Sequence, residues 1–100
     1  MTTDRTGAAT QVTAEQDRFT ISVDGRRVGF ADFSDRGDER IFPHTEVDPD
    51  FQGRGLATIL VLEALEATRA AGLQVVPQCW MVAEFIEKNS EFADLTASRR

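Results

Sequence analysis

One hundred residues are enough for one small domain and too few for two. A hydrophobic fraction of 41% with 8% aromatic residues allows a real core and excludes a disordered or fibrous chain. The formal charge of -6, with basic residues that are scattered rather than clustered, excludes a nucleic-acid binder that relies on general phosphate attraction.

The single cysteine, Cys79, cannot form an internal disulfide, which fits a reducing compartment. The first 16 residues lack the apolar segment of a secretory signal, and the longest apolar run, near residues 57–62, is too short to span a bilayer. We therefore expect a cytoplasmic monomer that contacts neither membrane nor nucleic acid and holds no metal.

In chain order, residues 1–16 are rich in Thr, Ala and Gln and show no periodicity, which predicts a disordered N-terminal tail. Residues 17–96 are expected to form the single domain. Residues 97–100 are expected to be a short C-terminal tail.

The ordered part is expected to begin near Arg18 with a strand in which apolar and polar residues alternate. The Asp24-Gly25 dipeptide follows, between two segments rich in strand-forming residues, and predicts a tight hairpin. The second strand is expected over residues 28–33. A polar turn then leads into a third strand over residues 41–47.

A helix is predicted over residues 55–71, because leucines and isoleucine recur at helical spacing and Gly72 stands where a helix commonly ends. A short buried strand ending at Pro77 and a last helix over residues 82–89 follow. The order β-β-β-α-β-α predicts an α+β (mixed α/β) fold, in which an antiparallel meander is followed by helix, strand and helix. The strands would form a mixed sheet flanked by helices.

The segment "QGRGLA", residues 52–57, lies where a strand gives way to the long helix. The first four amides of a helix lack internal partners, and the helix dipole favours an anion there. Gly53, Gly55 and the small Ala57 leave the backbone accessible, so the segment predicts an anion site. A P-loop would need Gly-Lys-Ser/Thr, and a dinucleotide fingerprint would need G-x-G-x-x-G in a parallel βαβ unit. Both are absent, and a plain glycine-rich turn is the alternative.

Gln52-x-x-Gly55-x-Ala57 resembles the pyrophosphate-binding motif, Arg/Gln-x-x-Gly-x-Gly/Ala, of the GNAT acetyltransferase superfamily. The segments "HTEVDPDFQGRGLATIL", "VVPQCW" and "EFADL" are similar to those of the minimal GNAT-like proteins, whose whole chain is about this size. The resemblance extends from about Phe19 to Leu95 and implies a GNAT-like fold that binds acetyl-coenzyme A.

The resemblance also implies which residues bind the cofactor. Beside Gln52 of the motif, the pyrophosphate would be held by the backbone amides of Gly53, Arg54, Gly55, Leu56, Ala57 and Thr58. The pantetheine arm would pair with the backbone of Thr45, Glu46 and Val47, and the Val47 amide would polarise the thioester carbonyl. The Arg54 side chain would either contact a phosphate or lie solvated on the surface.

The implied reaction is acetyl transfer to an amine, and many family members use a tyrosine as the acid. This chain has no tyrosine. His44 and Cys79 match a histidine and a cysteine of the minimal group, and we expect the separating strand ends to bring both towards the thioester. His44 would act as general base or orient the thiol; Cys79 would act as acid or accept the acetyl group. A satisfied strand residue and a small buried hydrophobe are the respective alternatives.

The sequence therefore predicts an acetyl-coenzyme A-dependent N-acetyltransferase. A non-catalytic coenzyme A or acyl-coenzyme A binding module is the alternative, and a protein-interaction domain with an incidental glycine turn is a third. The acceptor stays open between a peptide or protein lysine, a protein N-terminus and a small amine. Trp80 and Met81 are expected to fill the core, with a place beside the acetyl group as the other option.

Overall fold

Residues 2–97 are described by a computed structural model of the protein. They form six strands, three α-helices and two short 3-10 helices. The strands are β1 (Thr2–Thr3), β2 (Ala9–Ala14), β3 (Arg18–Val23), β4 (Arg26–Arg36), β5 (Glu39–Val47) and β6 (Gln74–Pro77). The helices are α1 (Leu56–Ala70), α2 (Trp80–Lys88) and α3 (Asp94–Ala97), with 3-10 turns at Pro49–Phe51 and Ser90–Phe92.

The six strands lie in one sheet in the order β1-β2-β3-β4-β5-β6. Strands β1 to β5 are antiparallel neighbours, whereas β6 runs parallel to β5 after the α1 crossover. This is the mixed sheet that the sequence predicts, with the expected meander as β3, β4 and β5. The fold prediction is therefore confirmed, and two further strands precede the meander.

The prediction of a disordered tail over residues 1–16 is wrong for most of that segment. β2 pairs with β3 in register, with Val12 opposite Ile21, and β1 folds back on β2. The cause is tertiary, because the otherwise open edge of β3 offers unpaired backbone groups that a polar segment can satisfy. At the other end Ala97 belongs to α3, and the rest of the expected C-terminal tail lies outside the described residues.

The hairpin predicted at Asp24-Gly25 is present between β3 and β4. Both residues have positive φ, 49° and 86°, as a two-residue type I′ turn requires. β4 and β5 are longer than expected, since their polar ends pair with each other out to Arg36 and Glu39.

The long helix α1 begins and ends where the sequence indicates. Its buried residues recur at helical spacing: Leu56, Leu60, Val61, Ala64, Leu65 and Thr68. Its C-terminus is closed by two hydrogen bonds, from Gly72 N to Arg69 O (3.0 Å) and from Leu73 N to Thr68 O (3.1 Å), the Schellman pattern that a glycine in this position allows.

The core lies between the sheet and the helices. Phe42 is fully buried, and its ring lies 6.4 Å from that of Phe19 and 6.2 Å from that of Phe33. α1 packs across β2 to β6, and α2 packs beside α1 against β5 and β6. Each fully buried large apolar side chain contributes about 1.5–3 kcal/mol, which holds α1 firmly on the sheet. Within residues 2–97 no helix combines the length and apolar character needed to cross a bilayer.

Candidate functional site

Strands β5 and β6 separate halfway along β5. They pair only from Glu39 opposite Gln74 to Phe42 opposite Pro77, and the last link is the hydrogen bond from Cys79 N to Phe42 O (2.9 Å). Beyond Phe42, β5 continues to Val47 with β4 on one side, and no strand of the described part of the chain lies on the other. The second half of β5 therefore has an open edge.

The backbone groups of Thr45 and Val47 point to this open edge. Asp48 N donates to Val28 O (2.7 Å), and Asp48 lies opposite Val28 in the continued register of β4 and β5. Antiparallel partners alternate between bonded and non-bonded pairs, so the next pair along, Val47 with Gly29, leaves the Val47 backbone free. The same alternation turns the backbone of Glu46 towards Phe30, so the expected Glu46 backbone contact with pantetheine disagrees with the register.

The loop before α1 presents a row of backbone amides without partners. Gly55 is the N-cap of α1 in the left-handed region (φ 80°), and no side chain caps the helix. The first amide with a partner is that of Ile59, which donates to Gly55 O (3.2 Å). Among residues 2–97 no acceptor takes a hydrogen bond from the amides of residues 53–58. These are the six amides that the sequence motif indicates.

A cavity of about 370 Å³ joins these amides to the open edge of β5. Its lining includes Val47 on β5, the loop from Gln52 to Thr58 with the exception of Arg54, and Trp80 and Met81 on α2. A second cavity of about 260 Å³ continues from it between α1 and α2. Trp80 is 67% exposed, so the expectation that it fills the core is wrong; Met81 is half-buried and lines both cavities.

Thr45 carries a buried hydroxyl without a partner. Its Oγ1 is inaccessible to solvent and has no hydrogen-bond partner among residues 2–97. Thr45 and Val47 share one face of β5, and Val47 lines the larger cavity. A buried hydroxyl is normally satisfied, and this one lies beside the fork of β5 and β6 but outside the lining of both cavities.

The Arg54 side chain is held by the N-terminal segment. Its Nε donates to Asp4 Oδ2 (2.7 Å), its Nη2 donates to Thr6 Oγ1 (3.1 Å), and its guanidinium lies over the Phe51 ring. Burial would raise the pKa of Asp4, but hydrogen bonds from Thr6, from the Ala8 amide and from Arg54 outweigh it and lower that pKa to about 2. The sequence left the Arg54 side chain open between a phosphate contact and a solvated position, and the structure instead places it in an ion pair with Asp4.

His44 lies on the solvent side of β5. Its side chain is 56% exposed, its Nε2 is 3.1 Å from Glu46 Oε1, and its ring packs against Phe30 with centroids 5.9 Å apart. Because side chains alternate along a strand, His44 and Glu46 share the face opposite to Thr45 and Val47. The Glu46 contact occupies Nε2 and leaves Nδ1 as the nitrogen without a contact among the described residues.

Cys79 lies inside the protein at the start of α2. It is 7% exposed and belongs to the hydrophobic core. Its backbone lies where β5 and β6 separate, as expected. Its thiol forms no hydrogen bond with His44 among residues 2–97. The structure thus brings the loop before α1 and Val47 around one cavity, and it places His44 and Cys79 on different sides of β5.

Two residues beside this site, Asp4 and Arg5, were missed by the sequence analysis. Arg5 N donates to Arg54 O (3.0 Å), and Arg5 Nη1 lies 3.4 Å from Gly53 O. The available signal was the "DRTG" tetrapeptide, residues 4–7, because Asp at the first position and Gly at the fourth are typical of a type I turn. Gly7 N donates to Asp4 O (3.0 Å), which closes that turn.

Comparisons with known proteins identify the fold and the family. The solution structure of a GCN5-like protein from Staphylococcus aureus superposes with a TM-score of 0.67 at 18% identity, over 85% of each chain. The ribosomal-protein-S18-alanine N-acetyltransferase from Escherichia coli gives a TM-score of 0.59 at 24% identity, over 65% of this chain and 43% of that one. A comparison with curated proteins gives no match. The family model described as GCN5-related N-acetyl-transferase matches residues 18–95, and the chain therefore belongs to the GCN5-related N-acetyltransferase (GNAT) family.

Proposed function

We propose that the protein is an acetyl-coenzyme A-dependent N-acetyltransferase that moves an acetyl group to an amine. The observation that carries the proposal is the row of unpartnered amides at residues 53–58, which opens into the cavity that reaches the free edge of β5. Backbone amides at a helix N-terminus bind phosphate groups well, because the donors converge and the helix dipole adds positive potential. Hydrogen bonds to a charged group contribute roughly 1.5–3 kcal/mol each.

The residues present fit coenzyme A. A diphosphate would satisfy the loop amides, and the amide-bearing pantetheine arm would satisfy the free backbone groups of Thr45 and Val47 on the open edge of β5. Gln52, Leu56 and Ala57 complete the wall of the cavity.

In the proposed reaction the neutral amine attacks the thioester carbonyl carbon, the C–N bond forms, the C–S bond breaks, and coenzyme A leaves as its thiol. We assign the proton of the amine to His44. The support is its exposure on the outer face of β5 and its Nδ1, which has no contact among the described residues. Glu46, whose Oε1 lies 3.1 Å from Nε2, would orient the ring. The open Val47 amide would donate to the carbonyl oxygen.

Cys79 is proposed as the acid that returns a proton to the departing thiolate. Its support is its position at the fork of β5 and β6; its burial equally suits a packing role. Cys79→Ser keeps the size of the side chain but replaces the thiol with a far weaker acid. If Cys79 is the acid, Cys79→Ser and Cys79→Ala lose the transfer rate to the same extent at temperatures where both variants are folded. A transfer rate equal to that of the wild type in either variant assigns Cys79 to the core.

The proposed cofactor site is tested by a charge placed on the loop. Thr58 is exposed at the third position of α1 and lines the larger cavity. Thr58→Glu adds a carboxylate where helices favour one by about 0.3–1 kcal/mol, so the fold should keep its melting temperature. The same charge should repel a diphosphate and weaken coenzyme A binding, measured by calorimetry, by at least about tenfold.

Ala83→Glu is the matched control, because Ala83 is exposed in the first turn of α2 and lies outside the lining of both cavities. It should bind coenzyme A as the wild type does. Equal affinity of Thr58→Glu and Ala83→Glu, or wild-type protein that does not bind coenzyme A, would exclude the proposed site.

A second candidate function is a binding module that holds coenzyme A or an acyl form without turnover. Two observations favour it: the chain has no tyrosine, and His44 and Cys79 lie on different sides of β5. The module predicts calorimetric binding of coenzyme A with no release of thiol from acetyl-coenzyme A in the presence of amines. If thiol release requires the amine and is slower in His44→Gln than in the wild type, the protein is an acetyltransferase and not a binding module.

The acceptor is proposed to be a cationic amine that approaches the outer face of β5. The exposed Glu46 carboxylate beside His44 supports this choice. Candidates are peptide lysines, small amines and protein N-termini, the last because the Escherichia coli neighbour is named for an alanine of ribosomal protein S18. A panel of these three classes, assayed by thiol release, identifies the preferred class.

A further inference from the structure

We infer that Arg5, held over the loop by the N-terminal segment, is a charged ligand of the coenzyme A diphosphate. The inference rests on the proposed function and adds to it a residue outside the stretch, residues 18–95, that the family model matches. It assigns a binding role to the segment that the sequence indicated as a disordered tail.

The Arg5 side chain lies over the loop before α1. An added Cβ on Gly55 would lie 3.3 Å from Arg5 Nε, so the guanidinium crosses directly over the helix N-cap. Arg5 lines the 370 Å³ cavity together with Gly53 and Ala57. It also lines a neighbouring cavity of about 270 Å³ formed by Thr3, Asp4, Arg54, Gly55, Thr58 and Ile59. The guanidinium thus stands where the two spaces meet, beside the amides of the loop.

The positive charge of the Arg5 guanidinium is not neutralised by a carboxylate among residues 2–97. Asp4, the neighbouring carboxylate, is committed to Arg54 through the 2.7 Å ion pair. No carboxylate among residues 2–97 forms an ion pair with Arg5, whose recorded side-chain contact is the weak one to Gly53 O at 3.4 Å. The Arg5 guanidinium and the unpartnered amides of the loop form a set of donors that favours an anion. A guanidinium binds phosphate oxygens with directed hydrogen bonds.

Hydrogen bonds of its own backbone and of the neighbouring Asp4 hold Arg5 in place. Its backbone N–H donates to Arg54 O (3.0 Å), while the Asp4 carboxylate accepts hydrogen bonds from Thr6 N (2.8 Å), Thr6 Oγ1 (2.7 Å) and Ala8 N (3.0 Å). The Arg5 amide and the Asp4–Arg54 ion pair connect the turn at residues 4–7 to the loop without using the Arg5 side chain, and the contacts of Asp4 with Thr6 and Ala8 hold the turn itself. Arg5 can therefore be replaced while the attachment of the segment is kept.

The test compares wild type, Arg5→Ala and Arg5→Lys by calorimetry with two ligands, coenzyme A and 3′-dephospho-coenzyme A. Arg5→Ala should weaken both ligands by the same factor, about tenfold to a hundredfold for a lost charge-assisted contact, because both carry the diphosphate. Arg5→Lys should recover part of the affinity, since lysine keeps the charge and loses the fork of donors. The melting temperature of free Arg5→Ala should match that of the wild type within about 2 °C.

Arg36→Ala is the control for net charge, because Arg36 is exposed at the β4–β5 turn and lies outside every lining described above. It should bind both ligands as the wild type does. Unchanged affinity in Arg5→Ala, a loss confined to coenzyme A with its 3′-phosphate, or an equal loss in Arg36→Ala would each overturn the inference and leave the proposed function standing. Wild-type protein that binds neither ligand would overturn both.

Discussion

Gly29 on β4 is expected to tolerate no side chain, because β5 passes too close to it. A Cβ added there would lie 2.9 Å from Glu46 O, 3.1 Å from Ile21 Cγ2 and 3.3 Å from Val47 Cγ2. Ordinary van der Waals contact begins near 3.4 Å, so the Glu46 carbonyl has to retreat by about 0.5 Å. That atom is backbone in the middle of a ladder and cannot rotate away. Overpacking of this kind costs about 1–3 kcal/mol.

For a domain of this size, a loss of about 2 kcal/mol lowers the melting temperature by roughly 8–16 °C. Gly29→Ala should show that loss in thermal unfolding followed by circular dichroism. Moving the Glu46 carbonyl also moves the adjoining Val47 amide, so thiol release from acetyl-coenzyme A at temperatures where the variant is folded should fall as well.

Gly37→Ala is the comparison variant. Gly37 has φ 60° in the β4–β5 turn and nothing within 4 Å of an added Cβ, so its cost is the left-handed conformation alone, about 1–2 kcal/mol. It should lose stability and keep its activity. A melting temperature of Gly29→Ala within about 2 °C of the wild type would refute the packing argument. A stability loss without any change of activity would refute the link to Val47.

Two further predictions concern His44 and Asp4. His44→Gln should lower the transfer rate at saturating acetyl-coenzyme A by about a hundredfold or more, the usual contribution of a general base, while calorimetric affinity for coenzyme A and the melting temperature stay unchanged; a rate equal to that of the wild type would remove His44 from the chemistry. The pKa of Asp4 is lowered from 3.8 to about 2, because its hydrogen bonds outweigh the effect of its burial. The ionised carboxylate therefore stabilises the folded state at pH values above 3.8. This stabilisation is lost as the pH falls through about 2. The difference in melting temperature between wild type and Asp4→Asn should accordingly be constant near neutral pH and shrink between about pH 4 and 2, and a difference that persists unchanged at pH 2 would contradict the assignment.

Local signals account for the elements that the sequence predicted well. The Asp24-Gly25 turn needs two residues with positive φ, and few dipeptides other than this type supply them cheaply. α1 follows from apolar residues at helical spacing between Gly55 and Gly72, both of which adopt positive φ in the structure. The loop amides follow from the same signals, because every helix leaves its first amides unpaired.

Long-range contacts account for what the sequence did not predict. β2 has little apolar character of its own, and it is a strand because the edge of β3 satisfies its backbone. The Arg54 side chain is held by Asp4, 50 residues earlier in the chain, through a 2.7 Å contact that neither of its two predicted positions included. No local sequence pattern predicts the β2–β3 pairing or the Arg54–Asp4 ion pair.

The amino-acid sequence was sufficient to predict the order of elements from β3 to α2, the accessible amides before α1 and the resemblance to the GNAT family, since these depend on local patterns; it did not predict β1 and β2. Only the tertiary structure decided that β5 and β6 separate after Phe42, that the Val47 backbone faces the opening, and that His44 and Cys79 lie on different sides of β5. It also decided that Arg5 stands over the loop. The physical reason is that register and side-chain alternation between distant strands set these directions, and register depends on the packing of the whole sheet.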